Sequence, residues 1–246
     1  MAPIIKVNVS LVNYEFLTEQ CVNWTKAHES RYVCAANVHM LMVAFDSSEF
    51  RQMINRADMV VPDGMPLVWL MRLKGHKHQQ RVYGPTLMLR LLKASADENI
   101  AVGFYGGSSE VLDSLTARMK SLFPNLKVAY SFSPPFREMN RMEDAEVVKQ
   151  INASSVRILF VGLGCPKQEV WMARHRGKVN AVMLGVGAAF DFHAGFKSQA
   201  PAWMQLIGLE WLFRLGAEPR RLWRRYLYHN PRFVILAVLD LLGIIR

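Results

Sequence analysis

Cysteine is scarce in this chain: Cys21, Cys34 and Cys165 stand far apart, which argues against a disulfide framework and against paired-cysteine metal ligation. A bilayer-crossing segment is also missing. The longest apolar run, residues 233–245, is broken by Asp240 and falls short of the roughly 18–20 residues that a spanning helix needs. No cleavable leader precedes the first strand-like segment, so a cytosolic location is expected. The seven histidines lack metal-ligand spacing, and no Asp-any-Asp element occurs that would hold a divalent ion against a diphosphate. Neither a metal nor a cofactor is therefore expected.

Acidic residues are the minority charge. Lys and Arg number 30 against 20 Asp and Glu, for a formal net charge of +10. Residues 200–246 hold seven arginines, no lysine and only three acids, so positive charge is densest in the tail. A 246-residue chain with 51% hydrophobic content can bury the core of one full domain.

Up to about residue 200, strand-like apolar runs alternate with helix-like segments. Residues 4–9 and 32–36 read as strands around a helix over residues 13–29, and a second helix is expected over residues 40–55. Residues 59–61, 101–105, 128–131, 158–161 and 181–186 read as further strands. Helical stretches over residues 65–73, 87–96, 143–152 and 169–176 lie among them. This order predicts an α/β, Rossmann-like fold with a parallel-dominated sheet flanked by helices. Ligands in such sheets bind beyond the carboxyl ends of the strands. Asn37 and His39 follow one strand, Asp63 another, and Asp191 a third. Asp63 is also placed to cap the helix after it, a role that Asp favours. Arg81 precedes a Gly-Pro turn, as a solvated surface charge or as a fork for a phosphate.

Glycines mark the remaining strand ends. Gly106-Gly107 precedes a helix, Gly162-Leu-Gly164-Cys-Pro-Lys-Gln168 follows the 158–161 run, and Gly185-Val-Gly187 follows the last strand. Backbone at such turns can approach a ligand closely, and a helix start favours an anion. Lys167 and Phe190 occupy the third-glycine position of the two dinucleotide-like patterns, and no Gly-Lys-Ser/Thr phosphate loop occurs. A phosphate-rich ligand fits better than a nicotinamide cofactor.

Beyond residue 200 the composition changes. A helix carrying Trp203, Trp211 and Phe213 is followed by Glu218-Pro219 and then by an amphipathic stretch. There Arg220, Arg221, Arg224 and Arg225 share one arc opposite Leu222, Trp223, Tyr226 and Leu227. Arginine with Trp and Tyr suits an anionic membrane surface, where guanidinium groups meet lipid phosphates. A basic nucleic-acid-binding protein is the reading from a different class, but no nucleic-acid-binding motif is visible. The expected division is a catalytic domain over residues 1–200 and a membrane-associating helical appendage over residues 201–246.

Val-Pro-Asp63-Gly, Arg81-Val-Tyr-Gly84, Gly-Cys-Pro-Lys-Gln168-Glu169, Gly187 through Asp191, Ala200-Pro201 and Gly208-Leu-Glu-Trp-Leu-Phe-Arg214 occur in the order of one family. Together they resemble the WecG/TagA/CpsF glycosyltransferases, glycosyltransferase family 26, along nearly the whole chain. The resemblance implies a peripheral bacterial enzyme at the cytoplasmic face of the inner membrane. Such an enzyme transfers a hexosyl group from a UDP-sugar to a polyprenyl-diphosphate-linked sugar, with inversion and without a metal. Asp63 is then implied as general base, Arg81 as stabiliser of the UDP diphosphate, and Asn37, His39, Gly107, Gln168, Gly187 and Asp191 as substrate-side residues. Arg214 and the four arginines of the amphipathic arc are implied as membrane contacts. Self-association is left open.

Ala35-Ala36 replaces the family's frequent Thr-Pro before Asn37, and Thr86 and Gln199 also depart from it. Asn37-Val-His-Met and Asp63-Gly-Met-Pro-Leu-Val-Trp look like the xanthan-type exopolysaccharide branch. That likeness implies β-1,4 transfer from UDP-glucose to glucosyl-diphospho-undecaprenol. Transfer of N-acetylmannosamine to N-acetylglucosaminyl-diphospho-undecaprenol is the alternative.

Overall fold

The computed structural model describes residues 1–245 and contains two compact units. The first gathers Met1–Asn13, Ala35–Tyr83 and the chain from Gln199 onward; the second gathers Tyr14–Cys34 and Gly84–Ser198. The segment from residue 201, expected as an appendage, thus groups with two earlier stretches of chain.

The expected single strand over residues 4–9 is a hairpin instead: β1 (Ala2–Ile4) and β2 (Val7–Val9) pair antiparallel, with Ala2 opposite Val9. Ile5 and Lys6 form its two-residue turn with φ of 47° and 67°, the conformation that suits the twist of a tight hairpin. Neither residue type signals such a turn. Ile5 is held there by full burial and by its amide donating to Asp240 Oδ2 at 3.2 Å.

Helix α1 (Tyr14–Lys26) and β3 (Arg31–Ala36) follow. The helix expected over residues 40–55 is two, α2 (Val38–Asp46) and α3 (Ser48–Asn55). Ser47 separates them in extended backbone, and its Oγ accepts from Phe50 N at 3.2 Å. A serine that caps a new helix ends the old one. Next come β4 (Met59–Pro62), α4 (Met65–Leu73), α5 (Gly84–Asp97), β5 (Val102–Gly106), α6 (Ser109–Leu122) and β6 (Val128–Phe132). The chain continues through α7 (Arg141–Ala153), β7 (Ile158–Gly162), α8 (Lys167–His175), β8 (Val182–Gly185) and α9 (Ala189–Ala194).

The sheet order is β4-β3-β8-β7-β5-β6, and the pairs β3/β8, β8/β7, β7/β5 and β5/β6 are parallel. This is the parallel α/β architecture that the alternation predicts. Strand β3 is divided between the units: residues 31–34 pair with β8 in the second, while Ala35 and Ala36 belong to the first together with β4. Strands β5, β7 and β8 are buried almost throughout, as their uninterrupted apolar runs require when helices cover both faces.

The tail holds α10 (Ala202–Leu206), α11 (Glu210–Ala217) and α12 (Pro219–Leu241). The single helix expected across residues 203–213 breaks at Gly208, whose φ is +71°; a Cβ there would stand 2.5 Å from the Trp69 ring. Asp240, the acid that interrupts the last apolar run, is buried and accepts from Ile5 N and, at 2.8 Å, from Lys74 Nζ. It ties α12 to the hairpin and to the end of α4. Among the described residues no helix is long and apolar enough to cross a membrane.

Gly106 ends β5 opposite Gly162 of β7 with φ +116°, and an added Cβ would lie 2.7 Å from the Gly162 carbonyl carbon. Backbone cannot yield as a side chain can. Gly106→Ala is therefore expected to cost about 3 kcal/mol or more, read as a lowered thermal unfolding midpoint. An unchanged midpoint would show that the sheet edge adjusts.

Candidate active site

A cavity of about 500 Å³ opens in the first unit, and Asn37, His39, Asp63, Arg81, Arg214 and Arg225 all line it. Asn37 and His39 arrive at the start of α2. The Asn37 side chain is the N-cap of that helix, its Oδ1 accepting from Met40 N at 3.2 Å. Asp63 follows β4. Its backbone N donates to Ala36 O at 2.9 Å, which sets the ends of β3 and β4 side by side. Asp63 does not cap α4: Gly64 holds the N-cap position, with no side-chain cap bond. The N-cap position open to Asp63 in the sequence is thus taken by Gly64.

Arg81 is fastened on both sides. Its Nε donates to the Asp63 backbone carbonyl, and its Nη2 donates to Glu210 Oε2 of α11 at 2.6 Å. The guanidinium lies 4.0 Å from the centre of the Tyr83 ring, and the Tyr83 hydroxyl reaches Glu210 Oε1 at 3.3 Å. Burial acts to lower the Arg81 pKa, but the carboxylates of Asp63 and Glu210 outweigh it and raise it. Burial, then the same two carboxylates, also push the Tyr83 hydroxyl up, so it stays a neutral donor. The His39 ring faces that of His229 of α12 with centroids 5.1 Å apart. Burial, then the nearby Arg225 and Arg232, lowers the His229 pKa and favours its neutral form.

The five arginines implied as membrane contacts divide. Arg214 and Arg225 are half-buried in the cavity wall, while Arg220, Arg221 and Arg224 are exposed. Arg221 pairs with Glu218 at 3.0 Å.

Gly107, Gln168, Gly187 and Asp191 belong to the second unit. Gln168 turns inward at the start of α8. Its Oε1 accepts from Gly164 N at 3.1 Å and its Nε2 donates to Glu169 Oε1 at 2.8 Å. Cβ atoms on Gly185 and Gly187 would lie 2.9 and 3.6 Å from its amide, so these glycines let the turn after β8 lie against it. The Phe190 ring plays the same part for Gly162, where a Cβ would stand 2.5 Å away. Gly107 has φ +76°, and its carbonyl accepts from Ser133 Oγ at 2.6 Å. Asp191 pairs with Lys197 at 3.1 Å. Lys167 is exposed. Among the described residues no three His, Cys, Asp or Glu side chains group as metal ligands.

The profile described as the Glycosyl transferase WecG/TagA/CpsF family matches residues 2–245. The chain belongs to this family. It is 30% identical over 220 residues to an N-acetylglucosaminyldiphosphoundecaprenol N-acetyl-beta-D-mannosaminyltransferase of Bacillus spizizenii, covering 89% of this chain and 83% of that one. It is 28% identical over 196 residues to the protein of the same name from Bacillus subtilis, covering 79% and 74%. The protein is a glycosyltransferase.

Within this member of the family, Glu210, Tyr83 and His229 were not singled out as site residues by the sequence. Glu210 did carry a signal: it is one of three acids in a tail with seven arginines, inside the Gly208-Leu-Glu-Trp block. Glu169, four residues past the half-buried Cys165, is fully buried. Burial raises its pKa above the ordinary 4.5, against bonds from Gln168 and Cys165 that lower it. A carboxyl with a raised folded-state pKa contributes stability below its unfolded value and loses it as pH climbs toward the folded value. Glu169→Gln mimics the protonated form. Its melting temperature should match that of the wild type near pH 4.5 and exceed it increasingly as pH rises through neutrality; a constant offset at all pH values would contradict the buried-carboxyl account.

Proposed function

We propose that this glycosyltransferase moves a sugar from a UDP donor to a sugar carried on a polyprenyl diphosphate, with Asp63 as general base. The observation that carries the reading is the Asp63 carboxylate lining the same cavity as the Arg81 guanidinium, which Glu210 holds. Asp63 takes the proton of the acceptor hydroxyl, the hydroxyl oxygen bonds to the donor's anomeric carbon, and the bond from that carbon to UDP breaks. Configuration inverts, and UDP leaves with the bonding electrons. The positive charge of Arg81 offsets the charge gathering on the diphosphate. Asn37 and His39 supply polar groups for the reacting sugars. No metal is required in this scheme.

For the sugars, both relatives are named for N-acetylmannosamine transfer to N-acetylglucosaminyldiphosphoundecaprenol. Their names favour that pair. The UDP-glucose and exopolysaccharide reading, drawn from the likeness of Asn37-Val-His-Met and Asp63-Gly-Met-Pro-Leu-Val-Trp to the xanthan-type branch, has no support among them. Family membership also displaces the nucleic-acid-binding alternative.

Transfer by the full chain, followed by mass spectrometry with UDP-N-acetylmannosamine and UDP-glucose side by side, tests the sugars. Asp63→Asn should lower kcat by about 10²- to 10⁴-fold while leaving UDP affinity within about twofold. Arg81→Ala should weaken both. A wild-type kcat for Asp63→Asn would place the base elsewhere.

The same reading puts the protein on an anionic membrane through α10 to α12, where Trp203, Leu206, Trp223, Leu227 and Tyr228 are exposed beside Arg220, Arg221 and Arg224. Apolar and aromatic side chains among exposed arginines suit the headgroup region. At about 1 kcal/mol per basic residue, replacing these three arginines by serine should weaken retention on anionic liposomes on the order of 100-fold, and leave binding to neutral liposomes unchanged. Equal retention of the variant and the wild type on anionic liposomes would rule the arginines out as the contact.

A further inference from the structure

The cavity that holds Asp63 does not end at its polar groups. It continues between α4 and α12, where its walls become apolar. On α4, which starts directly after Asp63-Gly64, Trp69 and Leu73 repeat at a four-residue spacing along one face. On α12, Val234, Val238 and Leu241 follow at spacings of four and three, also on one face, downstream of Arg225 and His229. The two helices lead away from the polar end together: His229 stands beside His39 there, while Asp240 is joined to Lys74 just past the end of α4. From His229 to Leu241 the wall is about 18 Å long at ~1.5 Å per residue.

These apolar side chains line the cavity yet remain open to solvent. Leu73 is 71% exposed, Val234 60% and Val238 50%. Contiguous apolar surface of this kind marks a place where something apolar binds. Three occupants are conceivable: a lipid tail, a bilayer, or a second copy of the chain. The charge pattern separates them. A groove that passes from a carboxylate and arginines to pure hydrocarbon matches a single molecule built as sugar, diphosphate and hydrocarbon in that order. If the acceptor's sugar reaches Asp63, its diphosphate falls beside the cavity's arginines, and its chain must leave along an apolar wall.

We propose that the groove between α4 and α12 binds the first isoprene units of the acceptor's polyprenyl chain, so that the enzyme reads the lipid as well as the sugar. This inference rests on the polyprenyl-diphosphate reading above and adds a subsite to it.

The test compares two acceptors in detergent solution, where no bilayer contributes. Both carry the same sugar diphosphate, one on a chain of many isoprene units and one on a short alkyl group. The full-length wild type should show a clearly lower KM for the long-chain acceptor. Ala237→Trp, which fills the groove, and Val238→Asp, which puts a charge on its exposed wall, should each raise that KM about tenfold, the equivalent of losing nearly two buried methylenes. KM for the short acceptor and for the donor should move less than twofold. The exposed position of residue 238 keeps the second variant informative if the first folds poorly. An unchanged long-to-short ratio in both variants overturns the inference. So does loss of liposome retention alone, which would assign the face to the bilayer, or a change of oligomeric state in sedimentation without the kinetic split, which would assign it to a second copy. Absence of transfer by the wild type to either acceptor would instead defeat the underlying reading, and the inference with it.

Discussion

The contact between Arg81 and Glu210 is the constraint on which the candidate site depends. It joins residues 129 positions apart, with both side chains only 15% exposed. A partly buried ion pair is weak evidence for stability, since desolvation of the two charges offsets much of their attraction. Its value here is positional. Glu210 anchors the guanidinium from α11, the Asp63 carbonyl holds it from the end of β4, and Tyr83 packs beneath it. Removing Glu210 would leave a buried arginine short of an anion, beside the carboxylate proposed as the base. The pair thus couples the tail helices to the loop that carries Asp63 through one hydrogen-bonded charge.

A second tether acts at the far end of the same unit. Asp240 binds the Ile5 amide and Lys74, so the last turns of α12 are held against the hairpin and α4. Between these two anchors α12 lies beside α4, and the space between them keeps apolar walls. The tail is therefore part of the cavity wall, and the exposed Trp203, Leu206, Trp223, Leu227 and Tyr228 lie outside that lining. Arg214 and Arg225 belong to the wall; Arg220, Arg221 and Arg224 lie outside it.

Much of the fold was legible because parallel strands buried on both faces leave uninterrupted apolar runs, as at residues 158–161 and 181–186. Helices such as α4 likewise carry a 3.6-residue period. The breaks were not. Ser47 ends α2 by capping α3, Gly208 ends α10 where the chain passes the Trp69 ring, and Ile5 takes a positive φ because burial and Asp240 hold it. Each is decided by a distant partner or by a local competition that hydrophobic periodicity does not record. Within the site, Asn37, Asp63 and Arg81 could be proposed from their places after strands and before glycines. Glu210 could not be assigned to Arg81, because nothing local links residue 81 to residue 210.

By itself the sequence determined the strand-helix alternation, the family through its ordered blocks, the deficit of acids in the tail and the lack of a spanning helix. These follow from composition and short-range spacing. Only the tertiary structure decided that Asp63 leaves the N-cap position of α4 to Gly64, that Gln168 turns inward to Gly164 and Glu169, and that two of the five arginines expected at the membrane line the cavity. Only it decided, too, that the polar cavity continues into an apolar groove. The turns at Gly64 and Gln168 are settled by local backbone geometry that hydrophobic periodicity does not record, while the cavity and its groove depend on side chains that meet across more than a hundred residues of chain.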